Sequence, residues 1–194
     1  MKLLLIAPAS GPWRGVGRTR WFNGRTFRFS LLSLLSVAAV TPSGVDIRIV
    51  DEQVEDVPWD DRFDLVGITC MTALAPRAYE ISARFREQGV PVVLGGMHPT
   101  LCPDEASTHA DAIVVGEAEG VWDQVVEAAR RGWLQPRYQS AALPDLRGLP
   151  PPRRELLNAV ERMLILSDGP ELTLASVPVE LREPVPVPVP PAPP

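Results

Sequence analysis

The chain has 194 residues, 45% of them hydrophobic and 22% charged, with a formal net charge of -5 at pH 7. That is the composition of a soluble globular protein, with length for one domain of about 100 to 150 residues and a remainder. An acidic balance without a long Lys or Arg run argues against a nucleic-acid partner, which needs clustered positive charge. No membrane span is expected either, because the longest apolar stretch, Phe29 to Val40, is interrupted by Ser30, Ser33 and Ser36 and falls short of about 20 residues.

At the N-terminus, KLLLIA at Lys2 to Ala7 is a continuous apolar run, the pattern of a central parallel strand covered on both faces. The run ends at Pro8, too early for a signal peptide, so the protein is expected in the cytoplasm. A polar and aromatic connection follows. Within it, Arg14, Arg18, Arg20, Arg25 and Arg28 alternate with Trp13, Trp21, Phe22, Phe27 and Phe29. Such interleaving suits single-stranded nucleic acid, but a loop folded over the sheet edge toward the acidic residues 51–64 is the preferred reading. Serines spaced three apart along FSLLSLLSVAAV predict a helix with a narrow polar stripe, stopped by TPSG at 41–44. A second strand is expected over Asp46 to Val50.

LVGITC at Leu65 to Cys70 is the third predicted strand, and Pro76 then stands in the first turn of a helix that runs to Gly89. Val90 to Leu94 is the fourth strand, Pro103 to Ala110 a short helix, and Asp111 to Val115 the fifth strand. A helix with Val121, Trp122, Val125, Val126 and Ala129 on one side ends at Gly132. Strands alternating with helices in this way define a doubly wound parallel α/β sheet over residues 1–132. Residues 133–157 read as an extended linker, and residues 158–194 as an irregular tail. Of the 22 prolines, seven lie between Pro184 and Pro194, a polyproline II composition.

A doubly wound sheet binds ligands at the carboxyl ends of its strands. Those ends carry Pro8 and Ser10, Asp51 and Glu52, Thr69, Cys70, Met71 and Thr72, Gly95, Gly96, His98 and Thr100, and Gly116 and Glu117. Small and hydroxyl-bearing residues there let a large flat or phosphate-bearing cofactor approach the backbone. Neither GxGxxG nor GxxxxGK[ST] occurs, so neither NAD nor ATP is favoured. His98 is expected to point into this pocket, and His109 to lie at the surface. Glu117 and Glu119 lack a partnered nucleophile or a third metal ligand, so they build no catalytic site and cap the following helix instead. Cys70 and Cys102 make neither a disulfide framework nor a zinc site, and each is read as a small buried hydrophobe.

The blocks VGITCMTALAPRAYEI, PVVLGGMHPTLCPDEA and ADAIVVGEAEGVW, followed by LPPPRRELL, resemble the N-terminal cobalamin-binding domain of cobalamin-dependent radical S-adenosylmethionine enzymes, methyltransferases and a cyclase among them. The resemblance spans residues 1–157. It implies a flavodoxin-like, Rossmann-like sheet of five strands in the order 2-1-3-4-5, with the corrin over the strand ends and its nucleotide tail beside the sheet. Gly95 and Gly96 match the glycine pair of better-known cobalamin domains, and Thr69 with Met71 stands where their SxL occurs. Their DxHxxG element is absent, since Pro8, Ala9, Ser10 and Gly11 follow the first strand, so cobalamin is expected without a histidine lower ligand. The related catalytic barrel holds a [4Fe-4S] cluster on CxxxCxxC. Here no cysteine follows Cys102, so no such cluster and no catalytic residue is expected on this chain. The reading is of a corrinoid-holding module, either serving a radical partner in trans or left by truncation of an enzyme. A cofactor-free interaction or regulatory domain whose proline tail binds a partner is the alternative.

Overall fold

The computed structural model describes residues 1–9, 31–53, 55–140 and 145–153. Strands β1 (Lys2–Ala7), β2 (Asp46–Asp51), β3 (Leu65–Thr69), β4 (Val92–Gly95), β5 (Ala112–Val115) and β6 (Arg137–Gln139) form one sheet in the order β2-β1-β3-β4-β5-β6. Every pairing is parallel. The order expected for five strands therefore holds, and a sixth extends it at the β5 edge.

The helices are α1 (Leu32–Val40), α2 (Ala75–Glu87), α3 (Met97–Leu101), α4 (Pro103–Ser107) and α5 (Trp122–Arg130). Side chains alternate across a strand, and the two cores follow that alternation. Leu3, Leu5, Leu65, Val93 and Val114 pack with Leu34, Leu35 and Ala38 of α1 and with Trp122, Val125 and Val126 of α5. Leu4, Ile6, Val66, Ile68, Leu94 and Ile113 pack on the other face with Ala78, Ile81 and Phe85 of α2 and Ala106 of α4. Among the described residues between β2 and β3 there is no helix, and Trp59 and Phe63 pack on Phe85, with ring centroids 5.1 and 6.4 Å away.

Three features differ from expectation. The short helix expected over Pro103 to Ala110 is present as α4, ending at Ser107, and an unexpected helix, α3, precedes it from Met97, separated from it at Cys102 because Pro103 can open a helix but cannot continue one. The expected linker starts inside the domain: β6 buries Tyr138, and the Arg153 N–H donates to the Leu35 carbonyl at 3.2 Å. Two carboxylates expected at a ligand site are engaged by hydrogen bonds within the protein. The buried Glu52 carboxylate accepts from the Ala9 N–H at 2.9 Å and from Arg77 Nη2 of α2 at 2.6 Å, and Asp51 Oδ1 accepts from the Gln53 N–H at 2.9 Å. Among the described residues no helix is long and apolar enough to cross a membrane.

Candidate functional site

At the carboxyl end of the sheet, on the face covered by α1 and α5, lies a cleft of about 120 Å³. Its floor follows from one residue. Gly67 stands in β3 between Leu5 and Val93, where any side chain would project into this face. A Cβ there would lie 2.8 Å from Leu5 Cδ2 and 3.3 Å from Trp122 Cη2, so the missing side chain is what lets the indole reach the sheet. The indole is fixed: Trp122 Nε1 donates to Thr41 Oγ1 at 2.8 Å, and Thr41 Oγ1 donates to the Val37 carbonyl at 2.8 Å.

The walls are Ser33, Leu34 and Val37 of α1, and the mouth is formed by Thr69, Gly95, Gly96, Gly116, Glu117 and Glu119. Gly95 has open space beside it, since the nearest atom to a Cβ would be Val114 Cβ at 3.9 Å. Gly96 is different. Its φ of 96° and ψ of -162° belong to a region that is essentially restricted to glycine, and a Cβ would stand 3.1 Å from Thr69 Oγ1 and 3.2 Å from the Cys70 backbone nitrogen. The Cys70 N–H donates to the Gly95 carbonyl at 2.8 Å, and the His98 N–H to the Cys70 carbonyl at 2.9 Å, which locks this turn onto the end of β3. Thr100 Oγ1 donates to the Gly96 carbonyl at 2.8 Å and accepts from the Gly116 N–H at 2.9 Å, joining the β4 and β5 exits.

The cleft therefore brings together Thr69, Gly95, Gly96, Gly116 and Glu117 of the residues expected from sequence, with Thr100 behind them. Pro8 is buried, and it, Asp51, Glu52, Cys70, Met71 and Thr72 do not line it. Ser10 and the Arg-aromatic stretch from Trp13 to Phe29 lie outside the described residues. His98 is the main departure. The turn at Gly96 sends its ring away from the cleft to the α2 side, where Nε2 lies 2.8 Å from Tyr79 Oη. His109, expected at the surface, is half-buried, and its ring stacks on Tyr79 at 3.8 Å. Burial, followed by the charge of Glu105, pushes the Cys70 thiol up to about 12. Burial also raises the Tyr79 hydroxyl above its ordinary value, as do its hydrogen bond to Glu105 and the charge of that residue.

Sequence reasoning missed Gly67, Trp122 and the α1 wall. The available signal was the glycine inside an otherwise apolar strand run, which marks a close approach.

An open parallel sheet with an apolar cleft at its carboxyl ends, bordered by glycine-bearing loops, defines a ligand-binding α/β domain of the doubly wound class. The chain belongs to the B12 binding domain family, which it matches over residues 29–126. It is 40% identical over 121 residues to bacteriochlorophyllide d C-8(2)-methyltransferase of Chlorobaculum tepidum, covering 62% of this chain and 27% of that protein. It is 36% identical over 123 residues to the C-12(1)-methyltransferase of the same organism, again 62% of this chain and 27% of the relative. With hopanoid C-2 methylase of Rhodopseudomonas palustris the identity is 30% over 108 residues, 55% of this chain and 20% of that protein. The chain thus spans about a fifth to a quarter of the length of these curated relatives.

The site passes a test of fit for a cobalamin. Among the described residues the cleft, about 120 Å³, is on the scale of the roughly 150 Å³ cavity that admits a benzene ring, the size of a single flat ring rather than of a corrin macrocycle. Three of its bordering residues, Gly95, Gly96 and Gly116, present no side chain to a ring system lying across the strand ends.

Proposed function

We propose that this chain holds cobalamin, with the aromatic base of the nucleotide tail in the cleft above Gly67 and Trp122 and the corrin across the exits of β3, β4 and β5. The observation that carries this reading is the Gly67 and Trp122 floor beneath the open Gly95 edge. In this reading Trp122, Leu5 and Val37 give the base an apolar surface, and Ser33 and Thr69 supply hydroxyls at the rim. The carboxylates of Glu117 and Glu119, at the cleft mouth, would accept hydrogen bonds from the amide groups around the corrin. Bound cobalamin supplies a cobalt centre that carries a methyl group.

In this reading no imidazole of this chain would reach the cobalt. His98 and His109 are the two histidines of the chain, and both rings pack against Tyr79 on the far side of the sheet. The chain is thereby a corrinoid-holding part of a methyl-transferring system whose chemistry needs further machinery. Its two cysteines cannot furnish the three thiolates of a [4Fe-4S] cluster, so a radical-generating centre belongs to sequence outside this chain or to a partner protein.

The test is to mix the protein with hydroxocobalamin, desalt, and record the ultraviolet-visible spectrum of the protein fraction. Near-stoichiometric retained corrinoid with an altered spectrum supports the reading. A folded but colourless protein overturns it and leaves the cofactor-free interaction domain.

A further inference from the structure

The face of the sheet opposite the cleft carries a second group of chemistry-bearing side chains that cobalamin binding does not use. We propose that His98, Cys102 and Glu105 form a binding site for a divalent transition-metal ion of the zinc class.

The local sequence is H-x3-C-x2-E. His98 lies in α3, Glu105 in α4, and Cys102 is the residue that ends the first helix and begins the second. The break at Pro103 turns the chain without dispersing the three side chains, and one donor atom from each lies within 4.8 Å of the others. The donors run from the interior to solvent. The His98 side chain is 4% exposed, Cys102 is half-buried, and the Glu105 side chain is 56% exposed. A metal ion would therefore enter past the carboxylate and meet sulfur and nitrogen behind it.

Two observations point to a ligand here. His98 Nδ1 is buried and has no hydrogen-bond partner among the described residues, a costly arrangement for an interior polar atom. The other ring nitrogen, Nε2, lies 2.8 Å from Tyr79 Oη and 3.6 Å from Glu105 Oε1, and the same hydroxyl donates to Glu105 Oε1 at 3.2 Å. Tyr79 is itself fixed by its stack on His109. Metal-binding histidines and carboxylates are commonly oriented by such outer hydrogen bonds, so Tyr79 acts as the positioning residue of the cluster.

The donor set selects the metal. Imidazole, thiolate and carboxylate together suit zinc and its neighbours, whereas magnesium and calcium take oxygen ligands. Bond lengths of about 2.0 to 2.3 Å in a tetrahedral site place donors roughly 3.3 to 3.7 Å apart, so donors that lie within 4.8 Å of one another need to close by no more than about 1.5 Å. Glu105 and Cys102, at the exposed end, provide that movement. Binding releases the Cys102 proton, and water takes the fourth position.

The test uses chelator-treated full-length chain titrated with cobalt(II) chloride as the optical probe, followed by zinc competition. The expected result is a thiolate-to-cobalt charge-transfer band and tetrahedral d-d absorption, both abolished by excess zinc. Cys102→Ser removes the charge-transfer band. Glu105→Gln, at an exposed position, weakens zinc at least 10-fold, and Tyr79→Phe does so by about 10- to 100-fold. Cys70→Ala leaves the band intact. Zinc also slows alkylation of Cys102 in the wild type. Absence of the band in folded wild-type protein, or its persistence in Cys102→Ser, overturns the proposal, and neither result bears on hydroxocobalamin retention.

Discussion

Gly95 and Gly96 are adjacent and border the same cleft, yet the structure assigns them opposite sensitivities. Gly96→Ala must hold an L-residue at φ 96° and ψ -162°, which costs about 1–3 kcal/mol in strain. Its methyl must also fit 3.1 Å from Thr69 Oγ1 and 3.2 Å from the Cys70 backbone nitrogen and oxygen, and the backbone neighbour is tied down by the Gly95 and His98 hydrogen bonds. A total near 2–4 kcal/mol lowers Tm by about 5–15 °C in a domain of this size. Gly95→Ala meets only Val114 Cβ at 3.9 Å and is expected to leave Tm within about 2 °C. Gly95→Leu, in the same open space, is expected to fold and to lower hydroxocobalamin affinity at least 10-fold, because its four added carbons occupy the cleft. Differential scanning calorimetry of the apoprotein gives the first comparison, and a desalting assay gives the second. Equal losses of Tm in the two alanine variants would refute the assignment of the left-handed turn to Gly96, and full corrinoid retention by Gly95→Leu would remove the cleft from the proposed function.

Three further outcomes follow from the described contacts. Arg77→Ala removes the charge partner of the Glu52 carboxylate, whose side chain is 0% exposed, and is expected to cost about 3–5 kcal/mol, as breaking a buried pair does; urea denaturation at neutral pH measures it. Cys70 favours its neutral thiol in the fold, with a pKa moved from 9.0 to about 12. Its contribution is therefore complete below pH 9 and lost as pH rises toward 12, and Cys70→Ala should flatten the fall in urea midpoint between pH 9 and 11. Trp122→Phe removes the buried bond to Thr41 and part of the cleft floor, for a cost of about 1–3 kcal/mol, seen as a lower urea midpoint at unchanged slope.

The parts of the fold that were legible in sequence are those where burial on both faces leaves an unbroken apolar run, as in KLLLIA of β1 and in Val92 to Leu94 of β4. β6 was not legible because three residues, RYQ, bury a single side chain, Tyr138, too little to make a pattern. α3 was hidden by Pro99 inside five residues that read as loop. In the site, glycines and hydroxyls at strand ends announced the mouth of the cleft. The direction of the His98 ring was not announced, because it depends on the dihedral angles of Gly96, which determine the side of the sheet on which the next turn falls.

The two borders of the sheet bear on how the protein behaves at high concentration. β2 exposes Asp46 and Arg48, and Arg48 is paired with Asp61 at 2.8 Å and Glu55 at 3.3 Å. At the opposite border β6 offers three residues, with Arg137 and Gln139 exposed. A strand arriving from another molecule would have to displace ion pairs at one border and would find few backbone groups to bond at the other. Among the described residues neither border is a template for growth, so a sheet that presents a cleft at its carboxyl end does not thereby invite fibres.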